Sequence, residues 1–204
     1  MDDSFARLSG ESGPSAQKRE RILRAALELF ARQTFDGTRV PEIAARAGVA
    51  AGTIYRYFPS KEALVNDLYR RWKGSLAERL LGAAPFTDLR AEFDHYWSGL
   101  ADFALANRDA WSFLEDQHHA HYLNEDSLRL KARIDREVGD FVTRGQAAGL
   151  FRPGSPEALA AMVLGAFDGI LGVEDPSIDV KQLGEAAWDL LTGGGEGTTS
   201  HERR

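Results

Sequence analysis

Residues 40–59 read VPEIAARAGVAAGTIYRYFP, two short helical segments around a glycine turn, and this stretch decides the fold. In the first segment, 40–47, Ile43, Ala44 and Ala47 share one helix face. Pro41 falls in the first turn, where its missing N–H leaves nothing unbonded. Gly48-Val49-Ala50 forms the turn. The second segment, 51–57, stops at Phe58-Pro59, because the residue before a proline is turned away from αR. Two short helices joined in this way are either a plain αα-hairpin or a helix-turn-helix. A helix-turn-helix sets its second helix in the DNA major groove, where base edges carry a distinguishing donor and acceptor code. The second segment ends in Tyr55-Arg56-Tyr57, a set of hydroxyl and guanidinium donors. Lys61 then stands in the first turn of the next helix, against the macrodipole preference for acids. A cation there suits a helix start that grips a phosphate.

Outward from this stretch, helical periodicity is nearly continuous and no strand-like alternation extends beyond a few residues, which predicts an all-α fold. A first helix over 16–33 carries the stripe Ile22, Ala26, Leu29, Phe30 and is broken by Phe35-Asp36-Gly37. Ser60 caps a fourth helix to about residue 81. Ala83-Ala84-Pro85 marks a joint. Longer helices are expected over 86–106, 107–119, 127–148, 156–171 and 180–191. Asn107 and either Asp126 or Ser127 are the expected caps, Gly149 ends one helix, and Ser155-Pro156-Glu157 begins another. The expected organisation is an arm over 1–15, a DNA-binding domain over 16–62, a carboxy-terminal helical domain over 63–192, and a disordered tail over 193–204.

Charge divides along the same line. The whole chain has a formal net charge of −6, yet residues 17–73 carry +6, the first 16 carry −2, and residues 74–204 carry −10. Such a basic block on an acidic chain presents one end to a polyanion. There is no cysteine, hence no disulfide, thiolate nucleophile or thiolate metal site. The first residues lack the apolar core of a secretory signal, and the longest nearly apolar run, 158–167, is too short for a membrane span. A cytoplasmic protein is expected.

The stretch from Arg21 to Leu68 resembles the DNA-binding domain of the tetracycline-repressor (TetR) family. The matching residues are Ile22-Leu23-Arg24-Ala25-Ala26-Leu27-Glu28-Leu29-Phe30, Gly37-Thr38, Ile43-Ala44, Ala47-Gly48-Val49, Gly52-Thr53-Ile54-Tyr55, Tyr57-Phe58 and Ser60-Lys61-Glu62-Ala63-Leu64. The resemblance implies that Gly52 lets the backbone approach the groove, and that Tyr55 reaches a base edge or phosphate. It sets Thr53 and Arg56 on the same exposed side, makes Tyr57 and Lys61 phosphate clamps, and gives Thr38 a backbone contact. Ile43, Ala44, Val49, Ile54 and Phe58 are core. Two positions depart from the family pattern. Arg39 replaces the usual Ser or Thr, and either reaches the DNA or pairs with Glu42 at i, i+3. Ala50-Ala51 replaces Ser with a polar neighbour, which removes two hydrogen-bonding groups.

The remaining helices show no catalytic constellation, so an enzyme is not expected. His118 and His121 at i, i+3, with Glu115 nearby, could hold zinc, or simply suit a helix carboxy terminus. No metal and no cofactor are assigned. The resemblance implies a ligand cavity, for which Trp97, Trp111, Glu115, His118 and Tyr122 are the candidate lining, fitting an apolar or aromatic effector. Leu159, Met162, Val163, Ala166, Phe167 and Ile170 form one apolar stripe and Leu183, Ala187 and Leu190 another, either a four-helix homodimer interface or core within one subunit. The implied function is a homodimeric repressor on a near-palindromic double-stranded operator, released when a small molecule shifts the fourth helix. The alternatives are an activator or corepressor-dependent regulator, a metal-dependent enzyme, and a ligand-binding protein with decayed DNA binding.

Overall fold

The computed structural model describes residues 13–82, 85–86, 88–115, 121–173 and 178–193. All regular structure among them is helical: α1 (Pro14–Gly37), α2 (Val40–Ala47), α3 (Ala51–Tyr57), α4 (Lys61–Leu81), α5 (Leu89–Ala106), α6 (Arg108–Glu115), α7 (Glu125–Ala147), α8 (Pro156–Leu171) and α9 (Gly184–Thr192). The all-α expectation holds. No helix among these residues is long and apolar enough to cross a membrane.

Most helix ends follow local chemistry. Ser60 Oγ accepts the Ala63 N–H at 3.1 Å, and Ser155 Oγ accepts the Ala158 N–H at 3.2 Å, the two N-caps anticipated from sequence. Three starts differ. Asp88 caps α5 by accepting the Ala91 N–H at 2.8 Å, so the helix begins at Leu89. Asn124, rather than Asp126 or Ser127, caps α7 by accepting the Ser127 N–H at 3.1 Å. Residues 180–183 are turn, so the last helix starts at Gly184.

Contacts divide the chain into two compact units, one of residues up to Gly82 with Asp102–Ala132, the other of Ala83–Ala101 with residues from Arg133 onward. In the first, α1 packs on α2, α4 and α6, and α2 packs on α3. Ile22, Leu23, Ala26 and Phe30 of α1, Ile43 and Ala44 of α2, Ile54 of α3, Phe58, and Leu64 and Leu68 of α4 are buried. Each large apolar side chain removed from water stabilises by about 1.5–3 kcal/mol, so a core of this size holds even a seven-residue helix in place. Phe30 stacks on Phe113 with centroids 6.0 Å apart, and Phe35 on Tyr122 at 4.1 Å.

Phe35 reaches that position through a kink. Thr34 interrupts α1 at φ 60°, ψ 176°, a conformation natural to glycine and strained for a β-branched residue. The neighbours hold it: Thr38 Oγ1 donates to the Thr34 carbonyl at 2.8 Å, while Lys61 Nζ donates to the carbonyls of Phe35 at 2.8 Å and Thr38 at 3.1 Å. The same ammonium lies 4.0 Å from the Phe35 ring centroid. Thr34 is exposed, so its side chain contributes little packing. Thr34→Gly is therefore expected to stabilise the fold by about 1 kcal/mol, the relief of strain exceeding the added chain entropy. Urea denaturation measures it, and a loss of stability would show that Thr34 is not strained.

The second unit is an aromatic cluster. Trp97 meets Phe93 at 6.1 Å and the edge of Phe167 at 5.2 Å, Trp188 meets Phe93 and Phe151 at 5.2 Å each, and Phe141 meets Phe151 at 5.3 Å and Tyr96 at 5.5 Å. Phe151 lies so close over α7 that a Cβ at Gly145 would stand 2.0 Å from the ring, so only glycine fits. Charged pairs rim the cluster. Arg90 grips both oxygens of Glu185 at 2.5 and 2.8 Å and lies over Trp188. Arg144 grips Glu92, which also accepts the Tyr96 hydroxyl at 2.9 Å. Burial first, and this carboxylate second, push the Tyr96 phenol well above its ordinary pKa.

Candidate nucleic-acid interface

The turn between α2 and α3 is built on Gly48, which is left-handed at φ 65°. The Val49 N–H closes it on the Ala44 carbonyl at 3.0 Å and the Gly48 N–H on Ala45 at 3.2 Å, the paired bonds of a glycine-terminated helix. The fold of the turn is thus fixed by one residue, and α3 leaves it at a set angle. Ile54 turns inward on α3, 1% exposed, while Tyr55, the next residue, is 53% exposed. Gly52 and Arg56 are exposed and Thr53 is half-buried. This is the arrangement of a helix anchored by one side chain and presenting the rest. Ala50, at the start of α3, makes no side-chain cap, as its missing hydroxyl requires.

The other expected contacts fall differently. Arg39 is exposed and forms no ion pair with Glu42 among the described residues, which leaves its guanidinium available. Thr38 is 1% exposed and its hydroxyl donates to the Thr34 carbonyl. Lys61 has a structural reason to stand at a helix start, since two of its donors close the end of α1. Tyr57 is half-buried, with its hydroxyl 3.0 Å from Ser15 Oγ. Beside these, Glu62 is held below the usual carboxylate range by its own backbone N–H and then by the Ser60 hydroxyl.

A cation count on the same unit shows which charges are committed. Arg19 pairs with Asp67 at 2.7 Å, Arg71 with Glu20 at 2.8 Å, and Arg46 with Glu28. Gly52 is the sharpest probe of the exposed face. A Cβ there would meet nothing within 4 Å in the protein, so the fold does not require glycine. Gly52→Ala is expected to raise stability by up to about 1 kcal/mol through helix propensity, and to weaken DNA binding by crowding the approach to a phosphate. Thermal melts and duplex titrations on one preparation check both signs. Unchanged binding would remove Gly52 from the interface.

The candidate ligand residues are distributed over both units. Trp97 is buried in the second unit, and its Nε1 donates to the Val180 carbonyl at 2.9 Å. Trp111 and Tyr122 are buried in the first unit, where Tyr122 stacks on Phe35, and Glu115 is half-buried at the end of α6. His118 lies outside the described residues. Among the described residues no group of three His, Asp or Glu side chains could hold a metal, and His121 stands 3.7 Å from Asp36. Of the expected dimer residues, Leu159, Phe167 and Ala187 are buried within their own chain. Val163, Ala166, Ile170, Leu183 and Leu190 are half-buried and Met162 is exposed.

Sequence missed one polar centre. Asn66, on α4 and 3% exposed, fills all four of its hydrogen-bonding positions. Its Nδ2 donates to the carbonyls of Glu62 at 2.8 Å and Tyr122 at 2.7 Å, and its Oδ1 accepts from the Asn124 N–H and the Ser127 hydroxyl, each at 2.8 Å. It ties α4, which continues from the helix-turn-helix, to the start of α7. An asparagine amid an apolar stripe is the signal that could have found it.

Two family models match the chain. Bacterial regulatory proteins of the tetR family match residues 22–68, and the tetracyclin repressor-like C-terminal domain matches residues 75–191. The chain is 26% identical over 189 residues to the "Fatty acid metabolism regulator protein" of Bacillus subtilis, covering 85% of this chain and 93% of that protein. A tetR family regulator from Shewanella sp. PV-4 superposes with a TM-score of 0.69 at 25% identity, over 85% of this chain and 97% of that one. AibR, crystallised with isovaleryl coenzyme A and operator DNA, shares the fold with a TM-score of 0.71 at 18% identity, over 86% and 98% of the two chains. With the first model spanning the helix-turn-helix and the second most of the rest, the chain belongs to the TetR family of DNA-binding transcriptional regulators, which are not enzymes.

Proposed function

We propose that this protein is a homodimeric repressor that α3 holds on a near-palindromic operator and that a fatty-acyl thioester releases. The observation that carries the DNA half is the contrast between Ile54 and Tyr55 on α3, one sealed in the core and the other presented. Gly52, Thr53 and Arg56 on α3, together with Arg39, would join Tyr55 on the duplex, with Tyr57 and the third donor of Lys61 on phosphates. Two copies would set their recognition helices about 34–36 Å apart, in successive major grooves.

The effector class rests on the relatives. One is named for fatty acid metabolism, and the structure of another holds an acyl coenzyme A. The segment 75–191 would take up the acyl group, an apolar ligand as its many aromatic side chains favour. The exposed side of α8, with Met162, Gly165 and Gly169 in open surroundings, is the face on which a second copy would pack.

For release to occur, the thioester must bind the DNA-free geometry more tightly than the bound one. Titrating a preformed protein–operator complex with acyl coenzyme A of graded chain length tests this. Release at micromolar concentrations, with free coenzyme A inert, is the expected outcome. No release at any chain length would remove this effector class.

A further inference from the structure

We infer that the exposed side of α1 is a second DNA contact, a phosphate grip made by Lys18 and Arg21 beside the recognition helix. The inference rests on the DNA-binding reading above and widens it beyond the helix-turn-helix. Ser15, Lys18 and Arg21 recur every three residues and so share one side of α1. Both ends of this row are fixed against the helix-turn-helix. Ser15 Oγ lies 3.0 Å from the Tyr57 hydroxyl at the end of α3. At the other end, a Cβ on Gly48 would stand 4.0 Å from Arg21 Nη1, at the turn that precedes α3. Six residues of α-helix rise about 9 Å, close to the length of α3 itself, so the row runs alongside the recognition helix from its last residue back to its turn.

A groove of about 520 Å³ opens here, lined by Pro14, Gln17, Lys18, Glu20, Arg21 and Arg24. Three cations face one carboxylate, and that carboxylate is already matched, because Glu20 Oε2 accepts from Arg71 at 2.8 Å. Lys18 and Arg21 are exposed and make no ion pair among the described residues, although Arg19, Arg46 and Arg71 close by are each paired. Two uncommitted cations at the spacing of one helix turn, next to a helix that enters a groove, suit successive phosphates of one strand. Phosphate contacts of this kind position the protein and carry no sequence information.

The test is the salt dependence of duplex binding by the full chain, followed by fluorescence anisotropy between 50 and 200 mM salt. The double variant Lys18→Ala/Arg21→Ala is compared with Arg133→Ala/Arg136→Ala, which removes the same charge from exposed positions on α7. Each lost phosphate contact flattens the slope of log K against log salt by about 1, so the α1 variant should be shallower by about 2 per bound subunit. Specific and scrambled duplexes should weaken by the same factor, and the α7 variant should match wild type. An unchanged slope in the α1 variant, or equal changes in both variants, overturns the inference while leaving the DNA-binding reading intact. Wild-type protein that binds no duplex at all overturns both.

Discussion

Replacing Asn66 by alanine is expected to cost about 3 kcal/mol of folding stability, more than any single apolar truncation at a helix end. The reason is what remains behind. The Asn124 N–H, the Ser127 hydroxyl and the Tyr122 carbonyl all rely on this one side chain, and Ser127 is fully buried. A buried polar group stripped of its partner costs about 1–3 kcal/mol, and three are stripped at once, with partial relief from Arg70, whose guanidinium lies 3.3 Å from both Asn124 Oδ1 and Ser127 Oγ. Asn66→Asp should fail as well, since it replaces two donors that face carbonyls with acceptors. Urea denaturation of both variants measures the effect. A loss under 1 kcal/mol in Asn66→Ala would mean that water enters and satisfies the orphaned groups.

Tyr55→Ala is expected to leave the fold intact and to weaken operator binding by on the order of 100-fold. Its side chain is half-exposed, so truncation removes little core packing. On DNA the account is different: a base-edge contact is worth about 1–3 kcal/mol, and a symmetric dimer makes it twice. Scrambled duplex should lose far less affinity than operator, because Tyr55 reads sequence while the cations hold phosphate. The same titration with unchanged operator affinity would show that another side chain of α3 does the reading.

The helix-turn-helix was legible because its signals are local. Gly48 needs the left-handed conformation, Pro59 stops α3 and Ser60 caps α4, and each acts within a few residues. The bonds that Thr38 and Lys61 make within the protein were not legible, for the opposite reason. Their partners are carbonyls released by a kink at Thr34, and a β-branched residue gives no local warning that it will occupy a glycine conformation. Periodicity set Phe167 and Leu159 on one apolar stripe, but it does not say whether such a face meets its own chain or a second copy. Trp97 settled the case of Phe167 from seventy residues away. For Trp97 and Tyr122 the limit is the same: aromatic content locates apolar surroundings without distinguishing a packed core from a cavity. Asn66 escaped because each of its cross-chain partners lies more than fifty residues distant.

The most direct measurement is anisotropy of the wild-type protein on labelled duplexes from around its own gene, with scrambled duplex of equal length, across a salt series. The account predicts binding at least about 1,000-fold tighter to one of those duplexes than to the scrambled control, and steep weakening of both as salt rises. Equal, weak binding to all duplexes, or affinity indifferent to salt, would contradict a regulator that grips phosphate and reads a base sequence with α3.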